Sequence, residues 1–150
     1  MERRTPVFIV CSPLPQIGKT LVARLLLDYF IADQRPVIAF DLNPDDHALV
    51  AQMPEQTSIA TIAGTRGQMV LFDQLIVADE IAKVVDLGYA CFEQFFTVMA
   101  EIGFEAEAWR RSITPAALLI ASDISDPFFK FVIVPGRGAP APVVHRCPAR

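Results

Sequence analysis

The sequence predicts an α/β domain built on a mainly parallel β-sheet with helices packed over it. Three observations carry that reading. Apolar runs rich in β-branched residues alternate with helical periodicity, in the order strand, helix, strand, helix, strand, helix, strand. Polar sequences close three of the runs, at 12–20, 41–46 and 86–88. One of them, "SPLPQIGKT", ends in Gly18-Lys19-Thr20 just before a helix, the place where backbone N–H groups hold an anion.

The elements follow in order. "TPVFIVC" (5–11) is a continuous β-rich run, the mark of a strand buried on both faces. From Lys19 to Ala32 the pattern is helical, with Val22, Leu25, Leu26 and Tyr29 on one face. Arg24 and Asp28 form an i,i+4 pair on the other. A second buried strand lies in "RPVIAFDLNP" (35–44), with 36–41 in the sheet. Between 45 and 64 the one periodic signal is a short helix around "DDHALVAQM". "GQMVLFDQLIVADEI" (67–81) has helical length, and 82–87 reads as a third strand. In 89–103 a helix turns Phe92, Phe95, Phe96, Met99 and Ile102 inward, and Gly103 is placed to end it. A short helix in "EAEAWRRS" and a fourth strand at 116–122 complete the alternation.

"FFKFVIVP" (128–135) breaks the rhythm, because a parallel crossover needs roughly a dozen residues or more. It is expected to pair antiparallel or to exchange with a neighbouring chain, and the Pro- and Gly-rich tail after it to be irregular. The chain divides accordingly into a main domain, 1–122, and a divergent carboxyl-terminal part, 123–150.

Composition narrows the function. Hydrophobic residues make up 53% and charged residues 20%, yet no apolar run reaches the ~18 residues of a membrane span. The opening "MERRTPVFIVCSP" is too short for a signal-peptide core and reads as a buried strand. A formal charge of −4 gives no nucleic-acid signal. Cys11, Cys91 and Cys147 form no CxxC pair, and His47 and His145 are too scattered for a zinc set. The expected location is the cytoplasm.

In the loop, Gln16, Ile17, Gly18, Lys19 and Thr20 all keep a backbone N–H, so Pro13 and Pro15 remove donors mostly outside the anion-binding nest. The prolines also lower the entropy lost on ordering the turn. Lys19, one of three lysines in the chain, can reach the β- and γ-phosphates, and the Thr20 hydroxyl can ligate Mg2+.

"SPLPQIGKT", "VIAFDLNP" and "AKVVDLG", in that order, resemble the ParA/MinD branch of P-loop NTPases, which includes dethiobiotin synthetase-like proteins. The resemblance covers roughly 5–122 and implies a three-layer P-loop NTPase-like fold with ATP and Mg2+ as ligands. It implies that Lys19 binds phosphate and Thr20 the metal. Asp41 would lie near the metal's water shell, and Asp86 would be the Walker B-type acid. Two departures stand out. The signature lysine of ParA/MinD proteins, which reaches a partner's nucleotide, is replaced by Leu14. The acid that positions the attacking water is replaced by Asn43, a degenerate catalytic position. An amide cannot accept that water's proton, and a leucine cannot neutralise phosphate charge. The resemblance also fades near 123, where the family's adenine contacts would follow.

Three functions fit. The first is a nucleotide-binding switch or partner-binding module with weak or absent hydrolysis, as a homodimer or with another protein. The second is a small-molecule ligase or kinase of dethiobiotin synthetase-like type, a branch that also lacks the signature lysine and puts an acid where Gln16 stands. The third is a degenerate interaction domain that binds no ligand.

Overall fold

A computed structural model of the chain describes residues 3–121, 130–135 and 144–146. The strands are β1 (Thr5–Cys11), β2 (Val37–Asp41), β3 (Thr57–Ile59), β4 (Ala82–Asp86), β5 (Ile113–Ala121), β6 (Lys130–Pro135) and β7 (Val144–Arg146). They form one sheet in the order β3-β2-β4-β1-β5-β6-β7. All pairings from β3 to β5 are parallel, and β6 and β7 join antiparallel. The four expected strands are all in the parallel part. Position 122, at the end of the expected fourth strand, lies outside the described residues.

Successive residues of β1 and β4 fall in different core clusters, as a side-chain period of two demands. Helices α1 (Lys19–Ala32) and α2 (Ala48–Gln52) close one cluster, where Ala23, Leu27, Phe30 and Leu49 meet Val10, Ala39 and Val84. Helices α3 (Thr65–Leu75), α4 (Phe92–Glu101) and α5 (Phe104–Arg110) close the other, with Leu71, Phe72, Phe95 and Phe104 over Val7, Ile9 and Val85. Each fully buried large side chain contributes ~1.5–3 kcal/mol of apolar burial.

Several boundaries differ from the sequence reading. α1 buries Ala23, Leu27 and Phe30 and leaves Leu25 and Tyr29 exposed. α3 stops at Leu75 rather than running to 81, because the next turn is tied down another way. Lys83, buried in β4, donates its ammonium to the Val77 carbonyl at 2.8 Å and to Asp79 Oδ1 at 2.7 Å. Residues 89–91 form a 3-10 turn before α4, and Ile102 is exposed rather than inward. Gly103 ends the helix with a left-handed φ of 64°, a conformation that costs glycine little. β3 has no counterpart in the sequence reading. β7 corrects the expectation of an irregular tail at 144–146; the rest of 136–150 lies outside the described residues. β6 pairs antiparallel with β5, one of the two expected outcomes; 128 and 129 are outside the described residues.

Connectivity places the site. From β1 the chain crosses over β4 to β2, and from β4 it later returns past β1 to β5. The connections therefore diverge between the carboxyl ends of β1 and β4, the switch point where open parallel sheets form their ligand crevices.

Candidate functional site

The loop leaving β1 is drawn closed on Lys19. Ser12 is fully buried, and its Oγ accepts the N–H of Leu14 at 3.1 Å. The Leu14 carbonyl accepts from Lys19 Nζ at 3.1 Å, so Leu14 is held at both ends between Pro13 and Pro15. Gln16 and Gly18 take positive φ values of 53° and 88°, which turns the chain sharply into α1. Gly18 is the N-cap, and no side chain caps the helix. The first-turn N–H groups of α1 thus start without intrahelical partners. Among the described residues no backbone carbonyl takes the N–H of Gln16, Ile17 or Gly18.

The two strand-end acids sit side by side. Asp41 and Asp86 are direct register partners in the β2–β4 pairing, and both are fully buried. Thr20 Oγ1 donates to Asp86 Oδ2 at 2.8 Å, joining the first turn of α1 to the end of β4. Asn43 Nδ2 donates to Asp86 Oδ2 at 3.2 Å and to Asp41 Oδ1 at 2.9 Å. Asp86 Oδ1 is buried with no hydrogen-bond partner among the described residues. Asp41 is enclosed further by the N–H groups of Asn43 and Val50, and His47 Nδ1 lies 3.8 Å from its Oδ1.

Electrostatics follow from this burial. Removal from water pushes the Asp86 carboxyl up to about 6, against the Thr20 hydrogen bond and with the added push of the Asp41 charge. Burial also lowers the Lys19 ammonium below its ordinary value, although Asp86 and Cys11 act in the opposite sense. Lys19 is nearly enclosed, and its Nζ stands 6.0 Å from the Tyr89 ring centroid, the outer reach of a cation–π contact.

A cavity of about 620 Å3 opens over this ensemble, a size suited to a small-molecule ligand. Pro15 to Leu21 line it, together with Asn43, Asp45, Asp46, Gln52 and Tyr89. The predicted binding residues Gln16, Ile17, Gly18, Lys19 and Thr20 all line it. Asp41 and Asp86 do not, and reach it through Asn43 and Thr20. Sequence reasoning missed Tyr89 and Gln52. Tyr89 lies just past the "DLG" strand end, which was the available signal; Gln52 gave none.

The oxygen donors Thr20 Oγ1 and Asp86 suit a hard cation such as Mg2+, and Asp86 Oδ1 is the orphaned atom such an ion would satisfy. Among the described residues no group of three or more His, Cys, Asp or Glu could cage a metal, so most ligands of an ion here would come from phosphate and water. No helix of the described residues is long and apolar enough to cross a membrane. Neither a known family model nor a curated protein matches the chain.

Proposed function

We propose that the chain is a ParA/MinD-type P-loop domain that binds ATP with Mg2+ and hydrolyses it slowly or not at all, acting as a switch or partner-binding module. The observation that carries this reading is the Thr20–Asp86 hydrogen bond beneath a loop whose residues Gln16 to Thr20 all line one cavity. Lys19 would release Leu14 and neutralise phosphate. Residues 16–20 would orient the polyphosphate through their N–H groups. Thr20 would ligate Mg2+, with Asp86 behind it and Asp41 beyond, and the ion would supply charge neutralisation of the phosphates. Leu14 adds no positive charge at the phosphates, and Asn43 Nδ2 is engaged as a donor, so it neither takes a proton from water nor orients it as a carboxylate would. Loss of one charge-stabilising group costs ~10²-fold or more in rate. Steady-state ATPase assays should therefore find turnover far below the ~10 per second of an ordinary enzyme; turnover at that level contradicts the reading. Self-association, where it occurs, would not require nucleotide, since Leu14 cannot contact a partner's phosphate.

A second reading has one observation in its favour. The cavity extends past the phosphate loop to Asp45, Asp46, Gln52 and Tyr89, walls that a nucleotide phosphate alone does not need. A dethiobiotin synthetase-like transfer to a second small molecule would use them. ATP consumption that appears only with amine or carboxylate acceptors distinguishes it.

A further inference from the structure

Two buried carboxylates in register repel each other unless a cation, a shared proton or hydrogen-bond donors stand between them. Between Asp41 and Asp86 the intervening group is an amide. Asn43 Nδ2 gives one bond to Asp41 Oδ1 at 2.9 Å and one to Asp86 Oδ2 at 3.2 Å, while the Asn43 backbone N–H adds a bond to Asp41 Oδ1 at 3.0 Å. The amide is also fixed in place. A Cβ on Gly88 would come within 3.1 Å of Asn43 Oδ1 and of the Leu42 carbonyl, so the turn after β4 is glycine where it leans on the turn after β2. We propose that Asn43 is a positioning residue that stands in for a cation between Asp41 and Asp86, so that the acid pair is assembled without a metal ion. Aspartate at this position would keep the shape, remove both side-chain donors and add a third negative charge. The inference rests on contacts within the chain and holds whether or not a nucleotide binds.

Thermal unfolding of the full chain tests it, in EDTA and in MgCl2 at matched ionic strength. The wild-type midpoint should move by no more than ~1 °C between the two conditions. Asn43→Asp should melt ~5 °C or more below wild type in EDTA and regain at least half of that in Mg2+. Asn43→Ala should be destabilised in EDTA but not rescued, having no third carboxylate to offer. The double variant Asp41→Asn/Asn43→Asp returns the cluster to two carboxylates and one amide, although the amide now stands at one end. Having shed the third negative charge, it should fold and recover part of the loss in EDTA, even if Asn43→Asp alone does not fold there. Three results would overturn the proposal: Asn43→Asp as stable as wild type in EDTA, equal and Mg2+-insensitive losses for Asp and Ala, or a double variant no better than Asn43→Asp. None of these readouts involves ATP, so failure of the nucleotide reading is seen separately.

Discussion

The substitution Asp86→Asn should make the metal-free chain more stable at neutral pH. The carboxyl is fully buried and titrates at about 6 instead of 3.8, chiefly because burial disfavours its charge. The folded chain therefore holds this proton more tightly than the unfolded chain does. That stabilisation is complete below about pH 4 and is lost as pH rises through about 6. At ~1.4 kcal/mol per tenfold change in proton affinity, the loss is on the order of 3 kcal/mol. The substituted amide cannot ionise, so the variant escapes it, less any mismatch between that amide and Asn43 Nδ2. Urea unfolding of both chains in EDTA, at several values between about pH 4 and pH 7, reads the effect together with the Asp41 coupling it contains, because carboxylates that do not interact with Asp86 cancel in the difference. The variant should gain roughly 2–3 kcal/mol on wild type across that range. A difference that does not change with pH would refute the reasoning.

Lys83→Met should cost ~2–4 kcal/mol in urea unfolding at neutral pH, since the buried ammonium serves the Val77 carbonyl and Asp79 together. Burial pushes the Asp79 carboxyl up, but the Lys83 hydrogen bond and the Ile81 N–H outweigh it and hold it below its ordinary value. The pair's contribution is present above about pH 4 and fades as pH falls through the lowered value, so the gap between the chains should narrow in acid; a variant within ~0.5 kcal/mol of wild type contradicts this anchor. Burial pushes the Cys11 thiol up to about 12 despite the Lys19 charge, so iodoacetamide at neutral pH should leave Cys11 unmodified in the folded chain. Peptide mass mapping reads this out, and alkylation as fast as in urea would show that the site opens readily.

The sequence carried the parallel sheet because its buried strands are apolar on both faces and its helices repeat at a different period. It could not assign the faces of α1. "KTLVARLLLDYFIA" is apolar almost all round, so only packing against Val10 and Val84 selects Ala23, Leu27 and Phe30. β3 is three residues long, too short to show a period, and exists through its pairing with Ala39 to Asp41. The overrun of α3 has a similar cause: the residue that ends it, Lys83, lies in the next strand. At the site, the loop and both acids were legible from their places at strand ends. Asn43 was legible only as a missing acid. Its role as a donor depends on Asp86, 43 residues away in the chain, and on the β2–β4 register that brings the two together.

Calorimetric titration of ATP, with and without Mg2+, into wild type and Lys19→Ala tests the central claim most directly. The wild-type chain should bind ATP more tightly with Mg2+ than in EDTA, and Lys19→Ala should lose at least ~10-fold in affinity, about 1.4 kcal/mol. No heat of binding to wild type, or equal affinity in the two chains, would contradict the account.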